Sequence, residues 1–149
     1  MPKKIILEKV KTKILKFLKL WLPPVLWALM IFKFSSGTVP MASQSFWLDF
    51  FIKKAGHVII FATLAILIYR ALIGGGIDRK KAAIYSVVIA FLYGISDEFH
   101  QSFTQGRGSK FRDTIIDGMG AGVAIFIIYR FVYRLPKRLY EILLKIGIK

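Results

Sequence analysis

The chain has 149 residues and a formal net charge of +15, and 56% of its residues are hydrophobic and 15% aromatic. This hydrophobic fraction exceeds the roughly 45–50% that is usual for soluble globular chains. Here the 23 Lys and Arg residues stand between long apolar runs, which is typical of membrane spans with basic flanks and not of a soluble helical bundle. The absence of cysteine excludes disulfides, thiolate metal sites and cysteine nucleophiles.

The first part of the chain, residues 1–20, alternates lysine with apolar residues near helical spacing. This pattern predicts a basic amphipathic helix at the surface of an anionic membrane, or simply a charged lead-in to the first span. We predict that span at about residues 20–34, with Pro23 and Pro24 near its start, where a missing N–H costs least. No small-residue cleavage site follows the run, so we expect it to be retained.

Three further apolar runs predict membrane spans at about residues 55–73, 82–97 and 113–133. An aromatic-rich segment suited to the membrane interface precedes the first of them, and three consecutive glycines end it. A basic tail, residues 134–149, follows the last span. The sequence therefore predicts an all-α fold, a polytopic four-helix transmembrane bundle in a single domain, with basic amphipathic helices at both ends.

The distribution of basic residues predicts the orientation of this bundle. Seventeen of them lie on one side of the membrane, in residues 1–19, 70–81 and 130–149, and six lie on the other side. With the acids included, the first side carries +14 and the second +1. By the positive-inside tendency we expect both termini on the cytoplasmic side of the membrane. Because topology accounts for the basic excess, the charge does not indicate nucleic-acid binding.

Polar residues from three segments meet at the outer boundary of the predicted bundle. Asp117 falls inside the apolar slab, where a carboxylate is costly and needs a partner. His57, Lys54 and Arg107 are the cations available to it. Ionisable residues at membrane depth indicate function by default. The candidate site comprises Lys54, His57, Glu98, Gln101, Arg107, Asp113 and Asp117.

Several kinds of chemistry fit this cluster. A divalent metal is one, although the chain has only two histidines and no HExxH-like spacing. Its ligands would be His57, Glu98, His100 and Asp117. Proton-coupled transport is disfavoured by four short spans without internal repeats. The non-catalytic alternative is an ion-pair latch that locks the helices together.

Acid–base catalysis and ligand binding are the two remaining alternatives. In a membrane-embedded hydrolase or transferase, Arg107 would clamp an anionic head group while a neighbouring group transfers a proton. The residues for that transfer are His57, Glu98, Asp113 and Asp117. In a binding protein, Lys54, Gln101 and Arg107 would hold an anionic lipid without reaction.

These residues, in this order, resemble the VanZ-like family of bacterial membrane proteins. The matching motifs are Lys54-x-x-His57, Glu98-x-x-Gln101, Gly106-Arg107 and Asp113-x-x-x-Asp117, within a resemblance that covers about residues 22–133. Two positions depart from the family pattern: an aromatic hydroxyl often stands where this chain has Phe61, and Asn is common where it has Asp117. The added charge makes a pairing of Asp117 with Lys54 or Arg107 more necessary.

The resemblance implies a biological setting without a reaction. The family's namesake is associated with resistance to glycopeptide antibiotics, chiefly teicoplanin, which act on cell-wall precursors outside the membrane. We therefore expect an outward-facing site that binds or modifies an anionic lipid or a lipid-linked cell-wall molecule. The alternative is the structural ion-pair latch.

Overall fold

A computed structural model describes residues 2–37, 43–104 and 111–148. The described residues form helices and contain no strand. The helices are α1 (Pro2–Ser35), α2 (Phe46–Gly74), α3 (Arg79–Gln101), α4 (Phe111–Phe131) and α5 (Lys137–Lys145), with a 3-10 turn at Val132–Arg134 between α4 and α5. The first four helices are long and apolar enough to cross a membrane. The predicted all-α fold with four membrane spans is confirmed.

The first helix is one continuous element that runs through the predicted boundary at residue 20. Its 34 residues correspond to about 51 Å, whereas the hydrocarbon core of a bilayer is about 30 Å thick. Leu20 packs against Gly74 at the end of α2. The residues before Leu20 therefore extend beyond the bundle, and every side chain described there is exposed. Pro23 and Pro24 lie inside the helix.

The second helix also exceeds its predicted span, because it includes the aromatic segment that precedes residue 55. An ion pair one turn apart supports this extension, with Lys53 Nζ 2.7 Å from Asp49 Oδ2. At its other end, Gly76 adopts φ +94°, and Asp78 then caps α3 by accepting hydrogen bonds from two backbone N–H groups. The glycine-rich turn thus separates α2 from α3 as the sequence indicates.

Successive spans run in opposite directions, so the bundle has two distinct ends. The polar end holds the end of α1 (residues 32–36), residues 54–57 within α2, the end of α3 (residues 97–101) and the start of α4 (residues 113–117). The basic end holds the junction between α2 and α3 and the end of α4 (residues 69–81 and 128–134). The candidate residues that the structure describes all lie at the polar end.

α2 is the central helix of the bundle and contacts each of the other three spans. A stripe at three- and four-residue intervals supplies the buried core: Phe61, Leu64, Ala65, Ile68 and Tyr69. Hydrogen bonds in the middle of the bundle join α1 to its neighbours. Trp27 donates its indole N–H to the carbonyl oxygen of Ile60 on α2 at 3.0 Å, and the hydroxyl of Tyr93 on α3 donates to the carbonyl oxygen of Ala28 at 2.6 Å.

Small residues let α3 and α4 approach their neighbours closely. On α3, every fourth position holds a small buried residue, in the order Ala82, Ser86, Ala90 and Gly94. On α4, a Cβ at Gly120 would lie 2.8 Å from Cγ1 and 3.3 Å from Cα of Val58, so the α2 backbone lies directly against this glycine. A Cβ at Gly118 would lie 2.6 Å from Cδ2 of Phe91.

One arginine joins three helices at the basic end. Arg79 donates to the carbonyl oxygens of Ile128 and Tyr129, at 3.4 and 2.5 Å. Its Nε donates to the hydroxyl of Tyr69 at 3.3 Å, and its guanidinium lies over the rings of Tyr129 and Tyr133. A cation is favourable here because the last carbonyls of α4 carry partial negative charge.

The C-terminal segment folds back onto this basic end. Arg70 of α2 donates from Nε to the carbonyl oxygen of Ile146, and Ile148 is buried against the core. On α5, the side chains of Leu139 and Ile142 are exposed. They form an apolar face suited to the membrane interface, as predicted for the tail.

We expect Gly120→Ala to lower the thermal stability of the protein, because the added methyl group must displace α2 at Val58. Overpacking of this kind costs about 1–3 kcal/mol. Thermal unfolding in detergent, followed by tryptophan fluorescence, measures the effect. Gly122→Ala on the same helix is the matched control, since a Cβ there has no neighbour within 4 Å. Equal melting temperatures for the two variants would contradict close packing of α2 on α4.

Candidate functional site

Two polar pairs join α2 to the first turns of α4. Lys54 Nζ lies 2.5 Å from Asp113 Oδ2, with the two side chains 19% and 17% exposed. One turn further along both helices, His57 Nδ1 lies 3.4 Å from Asp117 Oδ2. We call these two pairs the α2–α4 ladder. It is the most direct polar connection between the two spans that pack together most extensively.

The pairing in the ladder follows from the directions of the two helices. α2 and α4 both begin at the polar end, so they run parallel, and each contributes two residues about one turn apart. The residues nearer the N-termini therefore meet each other, as do the residues further along. Of the three cations considered for Asp117, the structure places His57 beside it, whereas Lys54 lies one turn away and contacts Asp113. Arg107 lies outside the described residues, so its pairing stays a prediction.

The end of α3 reaches the end of α1 through side-chain hydrogen bonds. The amide of Gln101 donates to Asp97 Oδ2 at 2.7 Å and to Ser35 Oγ at 3.2 Å. Nε2 of His100 lies 3.0 Å from Oγ of Ser36. Together with the ladder, these contacts connect α1 with α3 and α2 with α4 at one end of the bundle.

Buried acids distinguish the polar end. The exposed fractions of Asp97, Glu98 and Asp117 are 5%, 8% and 4%. Asp97 Oδ1, Asp117 Oδ1 and Thr114 Oγ1 have no hydrogen-bond partner among the described residues. A buried acceptor without a donor costs about 1–3 kcal/mol. Asp97 and Glu98 carry a further cost, because the dipole at the C-terminal end of a helix disfavours negative charge.

The floor of the site below His57 is apolar. The ring of Phe61 lies 6.4 Å from the imidazole at an interplanar angle of 13°, and it packs 6.3 Å from the ring of Tyr93. Phe61 has no hydroxyl to offer His57, and the hydroxyl of Tyr93 donates to Ala28 instead. Asp117 is therefore the hydrogen-bond partner that the described residues provide for His57.

The four residues expected for a metal site do not converge. His57 contacts Asp117, but His100 faces α1, where its ring stacks on Phe32 with 4.2 Å between the ring centroids. Within residues 2–37, 43–104 and 111–148, no group of three or more His, Asp or Glu residues is arranged to hold a metal ion. The described part of the chain thus does not favour the metal alternative.

His57 has a geometry that suits proton transfer. When Nδ1 carries the proton, it donates to Asp117, and Nε2 is then an acceptor. A carboxylate that orients an imidazole in this way is common to many general bases. Lys54 and Asp97 lie near enough to act on the ring electrostatically. The side chain is 31% exposed, so a ligand at the polar end can reach it.

Four contributors to the site are not among the residues proposed from the sequence: Ser35, Ser36, Asp97 and Thr114. The four-residue interval between Asp97 and Gln101 was a signal, because such residues share a helix face. Ser35 lies just beyond the predicted first span but is the last residue of α1. Thr114 has 1% exposure, and a single threonine early in a span carries no pattern from which this could be predicted.

The fold and the cluster at its polar end define a polytopic membrane protein whose spans are joined by buried acids and their partners. A model of the VanZ/LLP1 family matches residues 9–133, which include every described residue of the cluster. The chain therefore belongs to the VanZ/LLP1 family, and the family predicted from its motifs is confirmed. The comparisons with curated proteins and with solved structures gave no match.

Proposed function

We propose that the polar end binds the head group of a lipid-linked cell-wall molecule in the outer leaflet of the bacterial membrane. The observation that carries this proposal is the set of buried oxygens without a described hydrogen-bond partner, on Asp97, Asp113, Thr114 and Asp117. Sugar hydroxyls and peptide N–H groups are donors that would satisfy them. Cell-wall precursors carry both groups. Teicoplanin acts on such precursors, so tolerance of this antibiotic is the phenotype that we propose to examine.

The phosphate of a lipid-linked molecule would contact the cations of the cluster. Lys54 belongs to the ladder pair nearer the helix N-termini, and a phosphate there would share its ammonium group with Asp113. We propose Arg107 as the second cation, because guanidinium binds phosphate oxygens in a bidentate manner. Gln101 would position the donor-rich part of the head group through the carboxylate of Asp97, which its amide already holds.

A hydrolase or transferase reaction would use the same residues. His57 would accept a proton at Nε2 while Asp117 holds Nδ1. Glu98 is buried at the same end of the bundle and would serve as the acid. Asp113 is less suited to proton transfer because its carboxylate is paired with Lys54.

The structural latch is the second candidate function, and the number of helix-to-helix contacts at the polar end favours it. The ladder joins α2 to α4, and Gln101 and His100 join α3 to α1. Removing one partner of a buried ion pair leaves the other charge uncompensated, which costs about 3–5 kcal/mol. A latch predicts that loss of function follows loss of folded protein.

The orientation required by the proposal can be tested by thiol labelling, because the chain has no native cysteine. Gln44→Cys lies beside the polar end and Ile77→Cys at the basic end, and both side chains are exposed. In intact cells, a membrane-impermeant maleimide should label Gln44→Cys, and it should label Ile77→Cys only after permeabilisation. The reverse pattern would place the polar end in the cytoplasm and exclude an outer-leaflet ligand.

Asp97→Asn is expected to weaken ligand binding at least about tenfold, since a hydrogen bond to a charged group contributes about 1.5–3 kcal/mol. The measurement is native mass spectrometry of the full-length protein in detergent with a polyprenyl-diphosphate-linked disaccharide pentapeptide. Asp49→Asn, which alters a carboxylate paired with Lys53 on the same helix, is the matched control and should bind as wild type.

Melting temperatures separate the two candidate functions. Binding requires that Asp97→Asn loses the ligand while its melting temperature stays at or above the wild-type value, because the substitution removes a negative charge that the helix dipole disfavours. If Asp97→Asn melts lower and binds in proportion to the folded protein that remains, the latch is correct.

In cells, His57→Ala and Arg107→Ala should abolish teicoplanin tolerance at unchanged protein level. Unchanged tolerance in both variants would refute a role of the site in that phenotype.

A further inference from the structure

A groove far from the polar cluster lies on the membrane-facing surface between α3 and α4. It encloses about 430 Å³, within the roughly 300–1,000 Å³ of small-molecule sites. Its walls are apolar and include Val87, Val88 and Phe126, and Tyr129 lies at the end toward the basic end. Gly122 opens the groove at its other end, because a Cβ there would have no neighbour within 4 Å.

The length of the groove matches one leaflet of a bilayer. Along α3 it extends from Lys80 to Val88, which corresponds to about 12 Å, and along α4 from Tyr129 to Gly122, about 10 Å. Half of a hydrocarbon core of about 30 Å is about 15 Å. The groove therefore begins at the level of the lipid head groups and ends near the middle of the membrane.

The mouth of the groove carries a positive charge. Lys80 lines the groove, is exposed, and has no ion-pair partner among the described residues. The neighbouring Arg79 is engaged by the carbonyls and rings at the end of α4, so it is held beside the groove as a second cation. By contrast, a smaller groove of about 150 Å³ between α1, α2 and α3 has no charged residue in its lining.

We infer that the groove between α3 and α4 is a binding site for one anionic phospholipid, distinct from the polar end. One acyl chain lies along the apolar walls toward Gly122, and the phosphate contacts the ammonium group of Lys80. The groove combines a cation at the head-group level with an apolar channel of one leaflet's depth. This combination fits a lipid with a negative head group better than a neutral lipid. The site does not depend on any residue of the polar cluster.

Native mass spectrometry of the purified full-length chain tests this site, with phosphatidylglycerol and phosphatidylcholine of identical acyl chains as probes. Wild type should bind one phosphatidylglycerol more tightly than phosphatidylcholine. Lys80→Gln should weaken phosphatidylglycerol binding about fivefold, the effect of one basic residue near an anionic surface, and should remove the preference. Lys81→Gln removes the adjacent exposed charge, which does not line the groove, and should keep the preference.

A second pair of variants tests the apolar part of the groove. Gly122→Phe places a ring where the acyl chain lies and should abolish binding, whereas Gly122→Ala adds one methyl group and should bind as wild type. Melting temperatures check that both variants fold, and Lys80→Gln tests the site independently of the glycine. Equal binding by Lys80→Gln and Lys81→Gln would overturn the inference. So would a dimer that dissociates in Gly122→Phe, since the groove would then hold a second copy.

Discussion

A carboxylate at membrane depth requires a partner, and the packing of α2 on α4 follows from this requirement. Asp117 is almost fully buried, and the partner that the described residues provide is His57 on the parallel helix α2. The contact requires the two backbones to lie close together. Gly120 permits that approach, because Val58 of α2 occupies the space where a side chain would stand. Electrostatics and small-residue packing therefore depend on each other in this bundle.

The two ends of the bundle place charged side chains in opposite ways with respect to the helix dipoles. At the basic end, the cation of Arg79 is placed at the C-terminal end of α4, where the helix dipole favours it. At the polar end, Asp97 and Glu98 are placed at the C-terminal end of α3, where the dipole opposes them. The first arrangement stabilises the fold. The second lowers stability, and strain of this kind in a buried cluster is typical of binding and catalytic sites.

The helices and their order could be predicted because a membrane span requires only a sufficient length of apolar sequence. Their ends could not be predicted equally well. α1 runs through residue 20 and α2 begins at Phe46, since neither flank contains a glycine or proline arrangement that stops the helix there. Pro23 and Pro24 lie within α1, where neighbouring helices and side chains accommodate prolines in membrane spans.

The sequence was enough to predict which polar residues lie at one end of the bundle, but not which of them contact each other. His57, Asp113 and Asp117 all lie near a span end on the same side, and this position is visible in the sequence. Which residues touch depends on the rotation of each helix about its axis and on which helices are neighbours. The small residues at four-residue intervals on α3 carried part of that information, since they mark the face of α3 that packs inward.

The central feature of the structure is the ladder, in which Lys54 pairs with Asp113 and His57 pairs with Asp117. Zero-length crosslinking of the native protein in membranes with a permeant carbodiimide tests it most directly. The reagent joins an amine to a carboxylate only where the two groups are in contact. Fragment-ion mass spectrometry should show an amide between Lys54 and Asp113, which are 2.5 Å apart. An amide between Lys54 and Asp117 would contradict the ladder and the parallel register of α2 and α4.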